Sequence, residues 1–317
     1  MFLCVSANPA IDKRLKMEEL RRGHVNRVQG VEAFAGGKAA HVAMVLQTLG
    51  ERPWWIGPCG GASGEEVLRG LRALGIQASG IPIQQTTRTN LEIREKDGTL
   101  TEVLEPGPTL SADEWATFEG RCEERFAQGG EHLSVIFSGS LPQGADTELF
   151  ARLIAAARAK KCRTLLDTSG EPLRLGLRAG PGFVKPNREE VSRLLGAEVV
   201  SLSAGVSAVR KLLELGAQTA ALSLGRDGLL FCAGSREPVL FAAGQSVNCT
   251  SAVGCGDSAM AGFAVGMATG LRAEETLRLA AACATANCLA DSPGAARIED
   301  IRKFQEQMSV RKVEASV

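Results

Sequence analysis

A charge bias is missing from this sequence. Thirty-six Lys and Arg residues balance 36 Asp and Glu, so the formal net charge is zero. Such a chain offers no broad basic footprint, which argues against nucleic acid or a membrane surface as partner. Histidine is scarce: only His24, His41 and His132 occur, and no two are spaced His-x-x-x-His. The nine cysteines (4, 59, 122, 162, 232, 249, 255, 283 and 288) are odd in number and hold no Cys-x-x-Cys pair. That pattern speaks against a disulfide framework and a structural zinc site, and free thiols in a reducing cytoplasm are expected. The small-residue-rich stretch 258–271 is uncharged but only 14 residues long, short of the roughly 18 that suggest a membrane span. Residues 1–11 have no basic start, and no signal peptide is expected. What is present is ordinary: 44% hydrophobic and 23% charged residues over a length of 317. That is enough for a well-buried core in one large or about two domains, and disorder is not expected.

Residues 1–7 form an apolar run that ends in the turn signal Asn8-Pro9, which predicts a buried first strand. Residues 13–35 are charged and lack a helical stripe after Leu20. The glycine turn Ala35-Gly36-Gly37-Lys38 precedes Val42, Val45, Leu46 and Leu49 at helical spacing, closed by Gly50. Residues 53–56 predict a strand. Ser63-x-x-Glu66 reads as a capping box opening a helix to Leu74, with Val67, Leu68, Leu71 and Leu74 on one face. Residues 86–105 differ: polarity alternates on both sides of Asp97-Gly98, as in an antiparallel ribbon. Strands are expected at 135–138, 164–167, 183–185 and 219–224, and helices at 149–157 and 209–215. Asn187-x-x-Glu190 is placed to cap another helix. Residues 229–232 and 239–242 read as a late hairpin, and two small-residue-rich helices start near Ser258 and Glu274. Strand–helix alternation of this kind implies an α/β fold, a mostly parallel sheet with helices on both faces. The expected division is an α/β catalytic unit from 1–8, 36–84 and 110–317, with a small inserted β unit from 9–35 and 85–109.

Ligands of such sheets bind beyond the carboxyl ends of the strands. Val253-Gly254-Cys255-Gly256-Asp257-Ser258 stands just before a predicted helix. Its glycines allow a tight turn that bares consecutive amides, and a helix N-terminus favours an anion. An aspartate there repels phosphate. It makes sense as the base that takes a proton from an attacking hydroxyl, or else as a plain helix cap. Two familiar motifs do not apply. Gly37-Lys38 lacks the Walker A glycine, since Glu32 stands five residues before Gly37, and Ala39 replaces the Ser or Thr for magnesium. Gly254-x-Gly256-x-x-Ala259 fits a dinucleotide fingerprint only loosely, far from the first strand–helix unit. Other polar clusters are Asn8-Pro9-x-x-Asp12, Thr87-Arg88-Thr89-Asn90, Lys185-Pro186-Asn187-x-x-Glu190 and Ser223-x-Gly225-x-x-Gly228. Singly, each reads as turn residues, a solvated arginine or a cap. Together they follow strands predicted to end on one side.

With Gly36-Gly37-Lys38, Ser138-Gly139-Ser140-Leu141-Pro142 and Asp167-Thr168-Ser169-Gly170-Glu171, these residues resemble the PfkB (ribokinase-like) family of sugar kinases over nearly the whole chain. The nearest branch is that of 1-phosphofructokinase, tagatose-6-phosphate kinase and the minor 6-phosphofructokinase. The resemblance implies a ribokinase-like fold, a small β lid that closes over the sugar, and a homodimer paired through that lid. It implies ATP and Mg2+, and transfer to a hydroxyl of fructose 1-phosphate, fructose 6-phosphate or tagatose 6-phosphate. Asp257 would be the base, with the amides of Gly254, Cys255 and Gly256 as anion hole. Asp12, Gly37, Lys38, His41, Arg88 and Asn90 would face the sugar, Arg88 and Lys38 at the phosphate it already carries. Lys185, Asn187, Ser223, Gly225, Gly228 and Asn287 would line the nucleotide, and Asn187 and Glu190 would be tied indirectly to magnesium. A kinase of an unphosphorylated sugar or nucleoside, and an inactive sugar-phosphate sensor, stay open. The chain departs from the family's Gly-Gly-Lys-Gly-x-Asn by carrying Ala39 and His41, and it has Cys255 where alanine is usual.

Overall fold

The first apolar run forms β1 (Phe2–Val5), buried along its whole length in the computed structural model, which describes residues 1–314. The chain continues through β2 (Ala10–Met17), β3 (Gly30–Gly36), α1 (Lys38–Thr48), β4 (Trp54–Cys59), α2 (Gly61–Ala73), β5 (Gln77–Pro82), β6 (Arg88–Glu95) and β7 (Leu100–Leu104). Next come α3 (Ala112–Gly129), β8 (Ser134–Ser138), α4 (Leu149–Ala159), β9 (Arg163–Asp167), α5 (Gly170–Arg178), β10 (Phe183–Val184), α6 (Arg188–Leu195) and α7 (Leu202–Glu214). The last elements are β11 (Thr219–Ser223), β12 (Gly228–Cys232), β13 (Val239–Ala243), α8 (Cys255–Ala268), α9 (Ala273–Cys288), α10 (Ile298–Gln307) and β14 (Val310–Val313).

These strands make two sheets. The larger has ten, in the order β14-β13-β12-β11-β10-β9-β8-β1-β4-β5. Neighbours from β5 to β11 run parallel, and β11 to β14 pair antiparallel as the expected late hairpin plus one edge strand. The chain leaves β1 toward β4 on one side and resumes at β8 on the other. The order therefore reverses beside β1, and in open α/β sheets ligands bind outside the carboxyl ends at such a reversal. Alternation splits the core in two. Phe2 and Cys4 join α1, α2, α8, α9 and α10 on one face, while Leu3 and Val5 join α3 to α7 on the other. Small residues let α8 and α9 approach closely: a Cβ at Gly262 would lie 2.6 Å from Ala280 Cα. None of the helices in the described residues is long and apolar enough to cross a membrane.

The smaller sheet has the order β3-β2-β6-β7, with β2 and β6 parallel and the outer pairs antiparallel. The ribbon expected at 86–105 is its β6–β7 half. Arg14 on β2 is buried, pairs with Glu92 on β6, and also donates to the carbonyl of Asp291 in the loop after α9. One local expectation is corrected. Ser63 does not cap α2, which starts earlier from Gly60 with no side-chain cap. The carbonyl of Gln85 leaves no room for a Cβ at Gly60 (2.0 Å), and Gly61 takes φ 64°, so two glycines start the helix before Ser63 is reached.

Candidate active site

α8 begins where it does because Gly254 adopts φ 81° as its N-cap, and a Cβ there would stand 2.8 Å from that of Pro293. No described residue accepts a hydrogen bond from the amides of Gly254 or Gly256, while that of Cys255 turns back on the carbonyl of Ala252 at 3.3 Å. Two of the three expected anion-hole amides are thus free, at the positive end of a helix. Asp257 does not cap α8. It is buried in the first turn, with Oδ2 2.9 Å from His41 Nδ1. Asn287 is buried behind this loop: its amide nitrogen donates to the carbonyl of Val253 (2.8 Å), and its Oδ1 accepts from the amide of Gly294 (2.9 Å). The structure therefore places Asn287 as a support of the loop. Cys255 Sγ lies 3.3 Å from Cys288 Sγ, and that contact lowers the Cys255 thiol pKa against the effect of burial.

A chain of charges runs under the loop. Lys185, at the end of β10, is buried with Nζ 3.1 Å from Asp167 Oδ2. The same ammonium would be 3.4 Å from a Cβ at Gly256. Asp167 Oδ1 is 3.3 Å from Lys38 Nζ, which lies 3.6 Å from Glu190 Oε1. Burial disfavours the Asp167 carboxylate, but Lys185 and Lys38 outweigh it and hold its pKa below the ordinary value. The Asp167 charge in turn raises the Lys38 pKa despite burial. Asp167 stands in the family-like run Asp167 to Glu171 and has no role among the expected site residues. Its signal was an acid closing the otherwise apolar end of a strand.

On the small-sheet side, Asp12 Oδ1 accepts from Asn90 Nδ2 at 2.8 Å, and Oδ2 lies 3.2 Å from His41 Nε2. Burial works against this carboxylate, yet His41 and Asn90 keep its pKa low. Gly36 and Gly37 turn the chain here, and a Cβ at Gly36 would collide with Asp12 Cγ at 2.1 Å. Arg88 donates to the carbonyls of Glu105 (2.9 Å) and Asn8 (3.1 Å), where β6 leaves the body. Burial lowers its pKa against the pull of Asp12 and Glu105.

On the remaining wall, Asn187 and Glu190 form the expected capping box of α6, each side chain accepting from the other's amide at 2.8 Å. Ser223 ends β11 and bridges to Asn187. Gly225, at φ 63°, follows it. Gly228 starts β12 at φ 123°, where a Cβ would meet the carbonyl of Ala242 at 2.1 Å. Among the described residues, no group of three or more His, Cys, Asp or Glu side chains is arranged to hold a metal ion. A separate hollow of about 380 Å³, lined by Arg158, Cys162, Phe183 and Met267 among others, shares none of these polar residues.

A mostly parallel sheet with an inserted small sheet, and a buried acid beside a free helix N-terminus at the reversal of strand order, define a ribokinase-like sugar kinase, which transfers phosphate to a hydroxyl. Residues 3–300 match the model of the pfkB family carbohydrate kinases, and the chain belongs to that family. It is 33% identical to a 1-phosphofructokinase of Escherichia coli over 284 residues, 88% of each chain. It is 28% identical to a 1-phosphofructokinase of Borreliella burgdorferi over 316 residues, 100% of each. The crystal structure of phosphofructokinase-2 from Escherichia coli in complex with fructose-6-phosphate superposes with a TM-score of 0.88, at 26% identity, over 97% of this chain and 98% of that one. Sugar kinases of this family use ATP as phosphate donor, typically with Mg2+.

Proposed function

We propose that the protein phosphorylates a free hydroxyl of a phosphorylated ketohexose from ATP, with fructose 1-phosphate the first acceptor to test and Asp257 the general base. The observation that carries this reading is the Asp257 carboxylate: buried, not spent on capping, and in the same helical turn as the free amide of Gly256. Asp257 Oδ1 takes the hydroxyl proton while His41 holds Oδ2. Such a base contributes about 10²–10⁴-fold. The amides of Gly254 and Gly256, with Lys185 and Lys38, face the charge that spreads over the transferring phosphoryl oxygens.

ATP bound with Mg2+ supplies the phosphoryl group and neutralises its charge. The donors fit that complex if the cation is held by phosphate oxygens and water, because Glu190 already accepts from Asn187 and neighbours Lys38. Ser223 and Gly225 would line the nucleotide beside Asn187. Arg88 uses two N–H groups on carbonyls and keeps others for the acceptor's phosphate. The small sheet, residues 9–35 and 85–109, would act as the lid that excludes water. Val25, Val28, Val31, Val103 and Leu104 are exposed on it, which supports pairing of two lids in a dimer.

The deciding experiment measures ATP turnover on fructose 1-phosphate, fructose 6-phosphate, tagatose 6-phosphate, free fructose, free tagatose and a nucleoside. A phosphorylated ketohexose should be fastest, and Asp257→Asn should lose about 10²–10⁴-fold in kcat while still binding ATP. Faster turnover of an unphosphorylated acceptor would overturn the substrate class. Binding without turnover across the panel would mark a sensor.

A further inference from the structure

Of the nine cysteines, six (4, 59, 122, 162, 232 and 283) are buried. The three that solvent reaches, Cys249, Cys255 and Cys288, meet at one place. Cys255 is the first residue of α8 and Cys288 the last of α9, and their sulfurs are 3.3 Å apart. The Cys249 thiol also interacts with that of Cys288. Backbone bonding holds the cluster together, since the amide of Thr250 donates to the carbonyl of Cys288 at 2.6 Å. The three sulfurs are not arranged to hold a metal ion.

The thiols are not alike. Cys255 sits at a helix N-terminus, and Asn287 Nδ2 donates to its sulfur at 3.5 Å. Both features favour a thiolate there. The contact between the two sulfurs lowers the Cys255 pKa and raises that of Cys288. The shared proton therefore belongs to Cys288, and Cys255 is the nucleophile, because the thiolate is the form that attacks.

We propose that Cys255 and Cys288 form a reversible oxidation site for hydroperoxides, placed to switch the loop ahead of α8. The Cys255 thiolate attacks the outer oxygen of ROOH and the O–O bond breaks. RO⁻ leaves, takes up the proton that Cys255 gave up, and Cys255 becomes a sulfenic acid. The Cys288 sulfur then displaces the hydroxyl, which departs as water with the Cys288 proton. In sum, two thiols and ROOH give one disulfide, ROH and water, and two electrons pass from sulfur to oxygen.

A disulfide needs its sulfurs about 2 Å apart, so the bond draws this pair together from 3.3 Å. The loop cannot follow freely. A Cβ at Gly254 would be 2.8 Å from that of Pro293, and Asn287 holds the carbonyl of Val253. The shift falls on Cys255, between the free amides of Gly254 and Gly256 and two residues before Asp257. Resting on the reading of this loop as the seat of the transferring phosphoryl group, the disulfide stops the kinase and reduction restores it. The alanine usual in the family has no sulfur with which to do this.

The test treats the wild type, Cys288→Ala and Cys255→Ala with hydrogen peroxide. Intact mass and peptide mapping read the bond, and ATP turnover with the fastest acceptor of the panel reads its effect. The oxidised wild type should lose two hydrogens, yield a peptide linked through Cys255 and Cys288, and lose turnover about 100-fold. Dithiothreitol should recover all three. Cys288→Ala should turn over like the reduced wild type, form no bridge and carry a dimedone-reactive Cys255. Cys255→Ala should keep whatever turnover it has after oxidation. A bridge from Cys249 to Cys288 with Cys255 left free would overturn the proposal, and so would a bridged protein as active as the reduced one. Failure of the kinase reading shows separately, as no turnover before oxidation, and the mass measurement then still decides the bond.

Discussion

In the ten-stranded sheet, β1 is buried from end to end and its alternate side chains feed two apolar cores. In the four-stranded sheet, strands are paired by charge, Arg14 with Glu92 and Lys16 with Glu32, and Val31, Val103 and Leu104 stay exposed. Apolar burial from both sides belongs to the class of structure that opens only globally. A sheet with few buried apolar contacts belongs to the class of structure that opens locally. Under the proposed function, the difference would separate the part that holds phosphate still from the part that admits and releases a sugar.

That contrast can be broken at several points. Phe263 on α8 packs on Phe183 and Phe231 with ring centroids 4.8 Å and 5.1 Å away. Phe263→Ala should cost about 3–5 kcal/mol in urea unfolding and weaken the whole body. A loss under about 1 kcal/mol would contradict the rigid core. Arg14→Ala leaves Glu92 buried without its partner, which typically costs about 3 kcal/mol or more. Its effect should be local, with hydrogen exchange faster in β2, β3, β6 and β7 and unchanged in β8 to β10. Equal acceleration in both sheets would show that they open as one unit.

The third prediction concerns pH. His41 titrates higher in the fold, about 10, than in an unfolded chain, roughly 6.5. Its stabilisation is therefore complete below about pH 6.5 and lost as pH rises through about 10. The gap in Tm between wild type and His41→Asn should shrink steadily over that window. A constant gap would mean that the ring is not charged. The smallest change in folding is expected from Val31→Thr with Val103→Thr, within about 0.5 kcal/mol per site. If the exposed face pairs two copies, light scattering should nonetheless show dissociation to monomer.

Much of the body was legible because local signals were strong. The strand ending in Asn8-Pro9, the stripe through α1, the hairpin about Asp97-Gly98 and the Asn187–Glu190 box all formed. At the start of α2 a sound capping signal misleads, because two glycines precede it and begin the helix first. The expected elements include neither β5 nor β14. Both are edge strands, and β5 is interrupted by Gly80 and Pro82 while β14 carries Arg311 and Lys312. The expected elements do not include α3, although Ser111 and Glu114 cap it in a box and Phe118, Cys122 and Phe126 make its buried stripe. The site was legible loop by loop but not as a network. His41 meets Asp257 across 216 positions of sequence, and no local pattern shows that a histidine will sit between two acids. Nor does any show that Asn287 turns inward.

The close contact of α8 with α9 reaches the loop ahead of α8. Gly262 rests on Ala280, and Asn287 at the far end of α9 holds Val253 just ahead of the N-terminus of α8. That loop is thus mounted on two helices packed with no room for a methyl group between them, like a double beam. Under the proposed function, a side chain at Gly262 would therefore disturb phosphoryl transfer from a distance, whereas changes in the small sheet would alter acceptor preference first.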